Sequence, residues 1–471
     1  MLGGRCNSFS VTRIVDAFEH AKSNAKEVAQ VTKTLAEAKL GQIPFADLEI
    51  QFIGASGLPK MDVIGTADPY FVADIDEKIT FVSAVKGNTL APVWNETWRV
   101  KNVPVVADLH VQVMDQDDVC SDQSIGEFKT SVFEGTKEVE IQGSPARRGR
   151  GSFWLKIEST PSIDKDPSKF PYLFDGPIRF SRHYSPTVGM LTNLGPDQRP
   201  YSTWKMYLRG VPLFFGDKHQ GWNRNYKAAQ SIFQGPTSIV VRLGIQRGHR
   251  MLYAQNARNF FAVVDESSDV AQLLHVGKSN QPDVGQFEHR IKPAVYTYII
   301  SSEDDSFRFS ETGAESFVDF ASKHALHSNC AETVRYSGEF HPRPKGGWAA
   351  FSDDVQDHEV NWELVIDNNS GTYAPDKMLL PDLKKLLEYN FPQVEIYAWD
   401  REDPKLEESK QACREYALKH RGVKHHELQP HAASGEETLC HRVSLGAQQL
   451  EEAGRRIFNN WEWYLQYVMT S

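Results

Sequence analysis

The sequence predicts a multidomain chain: an amphipathic helix, an all-β sandwich of eight strands, and an α/β or α+β domain with a C-terminal helix. Three observations lead there. At 471 residues the chain exceeds one ordinary core, because domains typically hold about 100–200 residues. Residues 46 to 158 are short alternating or β-rich segments separated by polar and Gly/Pro turns, the texture of a sandwich. Beyond residue 178, strand-length apolar runs alternate with amphipathic stretches of helical period.

The segment 1–43 carries Val11, Ile14, Phe18, Ala21, Ala25, Val28 and Leu35 in a heptad-like stripe, and Gly41 and Pro44 end it. Such a stripe needs a partner: the protein's own body, a second copy, another protein or a membrane surface. The sandwich is expected over 44–158, with strands at LEIQFIG, PYFVADI, ITFVSAV, ETWRV, ADLHVQVMD, GEFKTSV, KEVEIQ and GSFWLKIES. A Pro-rich stretch without periodicity, 159–177, reads as a linker. The α/β domain is expected over 178–430. Helices are predicted at 226–235, 315–328, 379–391 and 406–420, and strands at 238–245, 296–301, 333–340, 362–368 and 394–400. Its final strand, helix, strand, helix order predicts a parallel pair with a crossover helix. In the segment 431–471 a last helix, 444–468, presents Leu445, Leu450, Ile457, Trp461, Tyr464 and Val468 on one face.

Composition narrows the partners. With 62 Asp and Glu against 52 Lys and Arg, the net charge of -10 argues against nucleic acid, whose phosphates select basic surfaces. The five cysteines, Cys6, Cys120, Cys330, Cys413 and Cys440, form no CxxC pair and read as reduced thiols of a cytoplasmic protein. Neither a signal-like apolar region nor an apolar run near 20 residues is present, so any membrane association is expected to be peripheral.

Two loops of the sandwich are acidic. GLPKMDVIGTADPYF places Asp62 and Asp68 between the first two strands; VMDQDDVCSDQSIGEF places Asp115, Asp117, Asp118 and Asp122 between later ones. A sandwich gathers alternate loops at one end, where these carboxylates would repel one another without a cation. Ca²⁺, a hard ion taking about 6–8 oxygen ligands, needs such a convergence. Met61, Val63 and Ile64 flank Asp62, and Val119 lies at the tip of the other loop; exposed apolar tips favour entry into something apolar.

In four pieces the sequence resembles the C2 domain family: GLPKMDVIGTADPYFV, TLAPVWNETW, VQVMDQD and SIGEF. The resemblance implies a Ca²⁺-dependent phospholipid-binding module. It makes Asp62, Asp68, Asp115 and Asp117 the candidate Ca²⁺ ligands, with the backbone carbonyls of Met61 and Gln116 beside them. One position departs from the pattern: the last loop carboxylate is expected three residues before Gly126, where Gln123 stands, and Asp122, one place earlier, is the fifth candidate ligand, substituting for it after a small loop shift. Segments such as WELVIDNNSGTYAP resemble only uncharacterised eukaryotic C2-containing proteins, which carry no activity over. The expected function is Ca²⁺-dependent binding of anionic phospholipid membranes that recruits the α/β domain. A lipid- or phosphate-directed enzyme and a Ca²⁺-independent adaptor are the alternatives.

Catalytic motifs are lacking. HVGKSNQ has no earlier glycine to complete a phosphate loop, and GxSxG, HExxH and GxGxxG are absent. The stretch KHALHSNCAETVRYSGEFHP puts His324 and His327 on one helical face with Cys330, followed by Glu339 and His341, and VIDNNSGTY ends a strand at Asp367. His324, His341 and Asp367 are therefore candidates for a ligand site, although satisfied core histidines and a polar helix-capping turn have the same spacing.

Overall fold

Side chains that alternate between core and solvent build the first unit of the fold. The computed structural model describes residues 44–61, 65–116, 122–143, 150–183, 202–253, 260–264, 267–275, 287, 289–311, 322–423 and 428. The helices expected at 11–39 and 444–468 lie outside them, as do Asp62, Val63, Ile64, Asp117 and Val119. The chain divides into two compact units, the first taking in the chain up to Arg179 with the short segments 207–213 and 255–263.

The first unit contains β1 (Phe45–Ser56), β2 (Pro69–Ile75), β3 (Ile79–Val82), β4 (Val93–Pro104), β5 (Asp108–Asp115), β6 (Gln123–Ser131), β7 (Gly135–Glu140), β8 (Ser152–Pro161) and β9 (Leu173–Gly176). One sheet runs β7-β8-β1-β4-β9 and the other β3-β2-β5-β6, with antiparallel neighbours throughout. Phe52, Trp98 and Phe153 from the first sheet meet Phe71 and Phe81 from the second. Phe52 and Phe71 have ring centroids 4.6 Å apart, and Phe71 meets Phe153 edge-on at 5.3 Å. Such contacts add to simple area burial and hold the sheets in one register.

The stretch 159–177 finishes β8, loops, and adds β9 to the edge of β4. Asn102 ties it down. This buried residue adopts a left-handed φ of 57°, which asparagine tolerates better than most side chains. Its Nδ2 donates to Asp164 Oδ2 at 2.8 Å and to the Phe170 carbonyl at 3.0 Å, and its Oδ1 accepts from Ser162 Oγ at 2.6 Å.

The second unit holds a mixed sheet whose order includes β10 (Ile178–His183), β11 (Thr203–Tyr207), β14 (Ser306–Glu311), β13 (Tyr296–Ser301), β15 (Thr333–Pro344), β16 (Trp362–Asp367) and β17 (Glu395–Trp399), with β12 (Gln220–Gly221) on β15. Every residue of β13 and β14 is buried, as expected for strands covered on both faces. Among its helices are α1 (Lys227–Phe233), α2 (Thr237–Leu252), α3 (Ser267–Leu273), α4 (Lys323–His327), α5 (Leu380–Asn390) and α6 (Pro404–His420). β16 and β17 pair in parallel with α5 between them in the chain. The Asp403 side chain caps α6 by accepting from Lys405 N at 3.0 Å, and Pro404 occupies the first helical position.

The strand expected at 238–245 is instead part of α2. Its β-branched run Ile239, Val240, Val241 favours a strand locally. The buried side chains, however, are Ser238, Ile245 and Leu252, seven residues apart on one helical face, while Ile239, Val240 and Leu243 face outward. Ile245 packs with Ile232, Ala325 and Leu326, a set of contacts available only to a helix here.

Asn102→Ala is expected to destabilise the first unit by roughly 2–4 kcal/mol, because it leaves buried partners unsatisfied and places alanine at positive φ. Chemical denaturation with a sandwich-specific tryptophan signal measures it; a loss within experimental error of zero contradicts the anchoring role.

Candidate functional site at the loop end of the sandwich

The end of β5 and the start of β2 are adjacent: Pro69 pairs with Asp115 across the antiparallel ladder. This register brings Asp68 and Asp115 together although 46 residues separate them in sequence. Asp115 is 1% exposed, and its Oδ1 accepts the Asp68 backbone N–H at 2.6 Å. The Asp68 carbonyl accepts from Gln116 N at 3.1 Å. Asp68 Oδ1 in turn accepts from Asn88 N at 2.5 Å, and the Asn88 side chain accepts both the N–H and the hydroxyl of Thr66. The loop is therefore shaped by hydrogen bonds that orient two carboxylates before any ligand arrives.

Asp122 is held differently. Its Oδ2 accepts from Tyr70 Oη at 2.6 Å, and burial together with this carboxylate holds the Tyr70 hydroxyl well above its ordinary pKa. Gln123, the departure from the sequence pattern, starts β6 opposite Asp115. Met61 is half-buried and packs against the sandwich core, its N–H donating to the Thr66 carbonyl at 3.0 Å. Asp62 and Asp117 lie outside the described residues; within these, no group of three or more Asp, Glu, His or Cys is disposed around one metal position.

Residues 46–146 match the C2 domain family. The chain carries a C2 domain. Relatives with similar sequence include Ras GTPase-activating protein 4 of Mus musculus, 27% identical over 128 residues, covering 25% of this chain and 16% of that one. Synaptotagmin-1 of Aplysia californica is 29% identical over 183 residues, covering 36% of this chain and 39% of the relative. The chain thus spans well under half of the relatives it matches. Among solved structures, a C2 domain of plant extended synaptotagmin 1 aligns at 20% identity over 26% of this chain and all of its own, with a TM-score of 0.24.

Outside the C2 domain, the second unit contains a buried ionic cluster. Lys410 on α6 is 2% exposed, and its Nζ lies 2.6 Å from Glu339 Oε2 and 2.7 Å from Asp367 Oδ2. Asp367 Oδ1 accepts the backbone N–H of Glu339 at 2.9 Å and of Asn369 at 2.7 Å, and Asn369 Nδ2 donates to Glu339 at 2.8 Å. Burial opposes every charge here. The two carboxylates nevertheless hold Lys410 above its ordinary pKa, and Lys410 and Asn369 bring Glu339 below its own, while burial raises Asp367.

The histidines go to separate partners. His324 Nε2 donates to the Gly338 carbonyl at 3.1 Å, His341 Nε2 is 2.8 Å from Ser409 Oγ, and His327 lies between Tyr253 Oη and Ser310 Oγ at 2.8 and 2.9 Å. Burial pushes the Cys330 thiol up to about 12, far from the thiolate that a nucleophile or zinc ligand requires. Of the three candidates, Asp367 joins Glu339 at Lys410, whereas His324 and His341 each meet a hydrogen-bonding partner outside that ion cluster.

Sequence reading passed over Lys410 and Asn88. Lys410 stands at helical spacing with Leu406, Cys413 and Ala417, all buried, so a charge within an apolar stripe was the available signal. Nothing local distinguishes Asn88, whose partners are 20 and 22 residues away.

Lys410→Met is expected to destabilise the second unit by roughly 3–5 kcal/mol, since it strands two buried carboxylates; equilibrium unfolding reads it. Half-buried His249 and buried His324 have their pKa values lowered to about 4, chiefly by desolvation. Their contribution to stability is complete above the unfolded value near 6.5 and is lost as pH falls toward about 4. The unfolding midpoint should therefore drop between pH 7 and pH 5, by less in His324→Gln; a flat profile would contradict neutral burial.

Proposed function

We propose that the C2 domain binds Ca²⁺ and docks on anionic phospholipid membranes, carrying the second unit there as cargo. The observation behind this reading is the Asp68–Asp115 pair: two carboxylates from different loops, oriented by backbone hydrogen bonds at the loop end of a C2 sandwich. All-oxygen donors suit a hard divalent cation. Asp62, Asp68, Asp115 and Asp117, with the carbonyls of Met61 and Gln116, would hold it. Asp122 would take part only by sharing its carboxylate with Tyr70. When bound, Ca²⁺ supplies positive charge that cancels the acidic loops and attracts anionic headgroups. The chain's own part is to hold the carboxylates in place and to offer the apolar tips Val63, Ile64 and Val119 to the interface, beside Met61, which packs on the sandwich core. No helix among the described residues is long and apolar enough to cross a membrane, and this reading needs none.

Co-sedimentation of the full chain with phosphatidylserine vesicles, in Ca²⁺ and in chelator, tests the proposal beside the double variant Asp115→Asn, Asp117→Asn. Binding should require Ca²⁺ and weaken at least tenfold in the variant, with the circular dichroism of the Ca²⁺-free protein unchanged. Equal binding in Ca²⁺ and chelator, or none in either, overturns it and favours an adaptor that uses the sandwich to bind protein.

A further inference from the structure

One face of the second unit's sheet does not close against its helices. Between that face and helices α3 and α5 lies a cavity of about 590 Å³, within the range of sites that enclose small organic molecules. Its walls are formed by Leu273, Leu274, Phe307, Phe309, Phe340 and Leu387, all buried. The strand period explains the wall: Phe307 and Phe309 are two apart on β14, and Phe340 extends the same apolar surface from β15, while Glu339 beside it turns to Lys410. Protein interiors rarely leave apolar voids much larger than a water molecule, and a cavity lined by aromatic and aliphatic side chains favours an apolar guest over water.

Polarity is confined to one side. The segment 345–361 brings Lys345, His358 and Asn361 to the rim. The Lys345 N–H donates to the Asn361 carbonyl at 2.8 Å, which pins the two ends of this segment together. Lys345 and His358 are exposed, and neither side chain has an ion-pair or hydrogen-bond partner among the described residues. Of the two carboxylates in the lining, Glu363 is neutralised by Arg343 at 2.7 Å and Glu395 accepts from Tyr397 Oη at 2.6 Å, so that among the described residues lining the cavity Lys345 is the cation without an ion-pair partner.

We propose that this cavity binds a single-chain amphiphile, its hydrocarbon tail among the phenylalanines and its anionic head at Lys345 and His358. A tail satisfies the apolar wall and a carboxylate or phosphate satisfies the rim, whereas a wholly apolar guest leaves the rim without purpose and a free anion leaves the wall so. The proposal goes beyond the C2 reading and does not rest on it, because the cavity belongs to the second unit alone.

Isothermal titration calorimetry of the full chain with oleate and with lysophosphatidate, each below its micellar concentration and in chelator without membranes, tests it independently of Ca²⁺ docking. One-to-one binding of either amphiphile is expected, with the two arms separating carboxylate from phosphate preference; inorganic phosphate alone should not bind. Val270→Trp, which fills the cavity from α3, should abolish binding, and Lys345→Glu should weaken it about tenfold. If Val270→Trp fails to fold, Val360→Trp at the rim takes its place. No saturable binding, or binding unaltered in a folded cavity-filling variant, overturns the proposal.

Discussion

A carboxylate taken out of water must be given donors, and both halves of this protein are organised around that demand. Asp115 and Asp367 each end a strand, and each is at most 1% exposed. Each spends an oxygen on backbone N–H groups of a neighbouring segment: Asp68 in the first case, Glu339 and Asn369 in the second. Charged acceptors make such bonds stronger than neutral ones, so these two aspartates fix the conformation of the chain around them.

The same device serves different ends. At the loop end of the C2 domain, Asp115 orders the turn that carries Asp68, and the resulting pair lies where loops converge. In the second unit, Asp367 is enclosed and shares Lys410 with Glu339, so the charge links α6 to β15 and β16. The enclosed cluster therefore acts as a strut. The apolar cavity lies on the other face of the sheet, where the phenylalanines of β14 and β15 line it and Lys345 stands at its rim.

The eight sandwich strands were legible because each buries one face, and half-burial writes period-two alternation into the residues. The parallel pair β16 and β17 was legible for a related reason, as short apolar runs flanking the amphipathic α5. Reading failed at 238–245, where β-branched residues on the outer face of α2 imitate a strand and only Ile232, Ala325 and Leu326 show which face is buried. It also passed over β9, four residues whose strand pairing is set by β4 rather than by their own pattern. In the candidate site, the aspartates were legible as a local density of carboxylates. Asn88, which positions one of them, was not.

From sequence alone, the C2 sandwich was determined, because its strands are written in local periodicity and its family motifs in residues that stand near one another. Tertiary structure decided the rest. It turned Asp122 toward Tyr70, sent His324, His327 and His341 to separate partners, paired Lys410 with two carboxylates, and left an apolar cavity over one sheet face. Those outcomes depend on which side chains meet after the strands and helices pack, and contacts between residues tens of positions apart leave no local trace in the sequence.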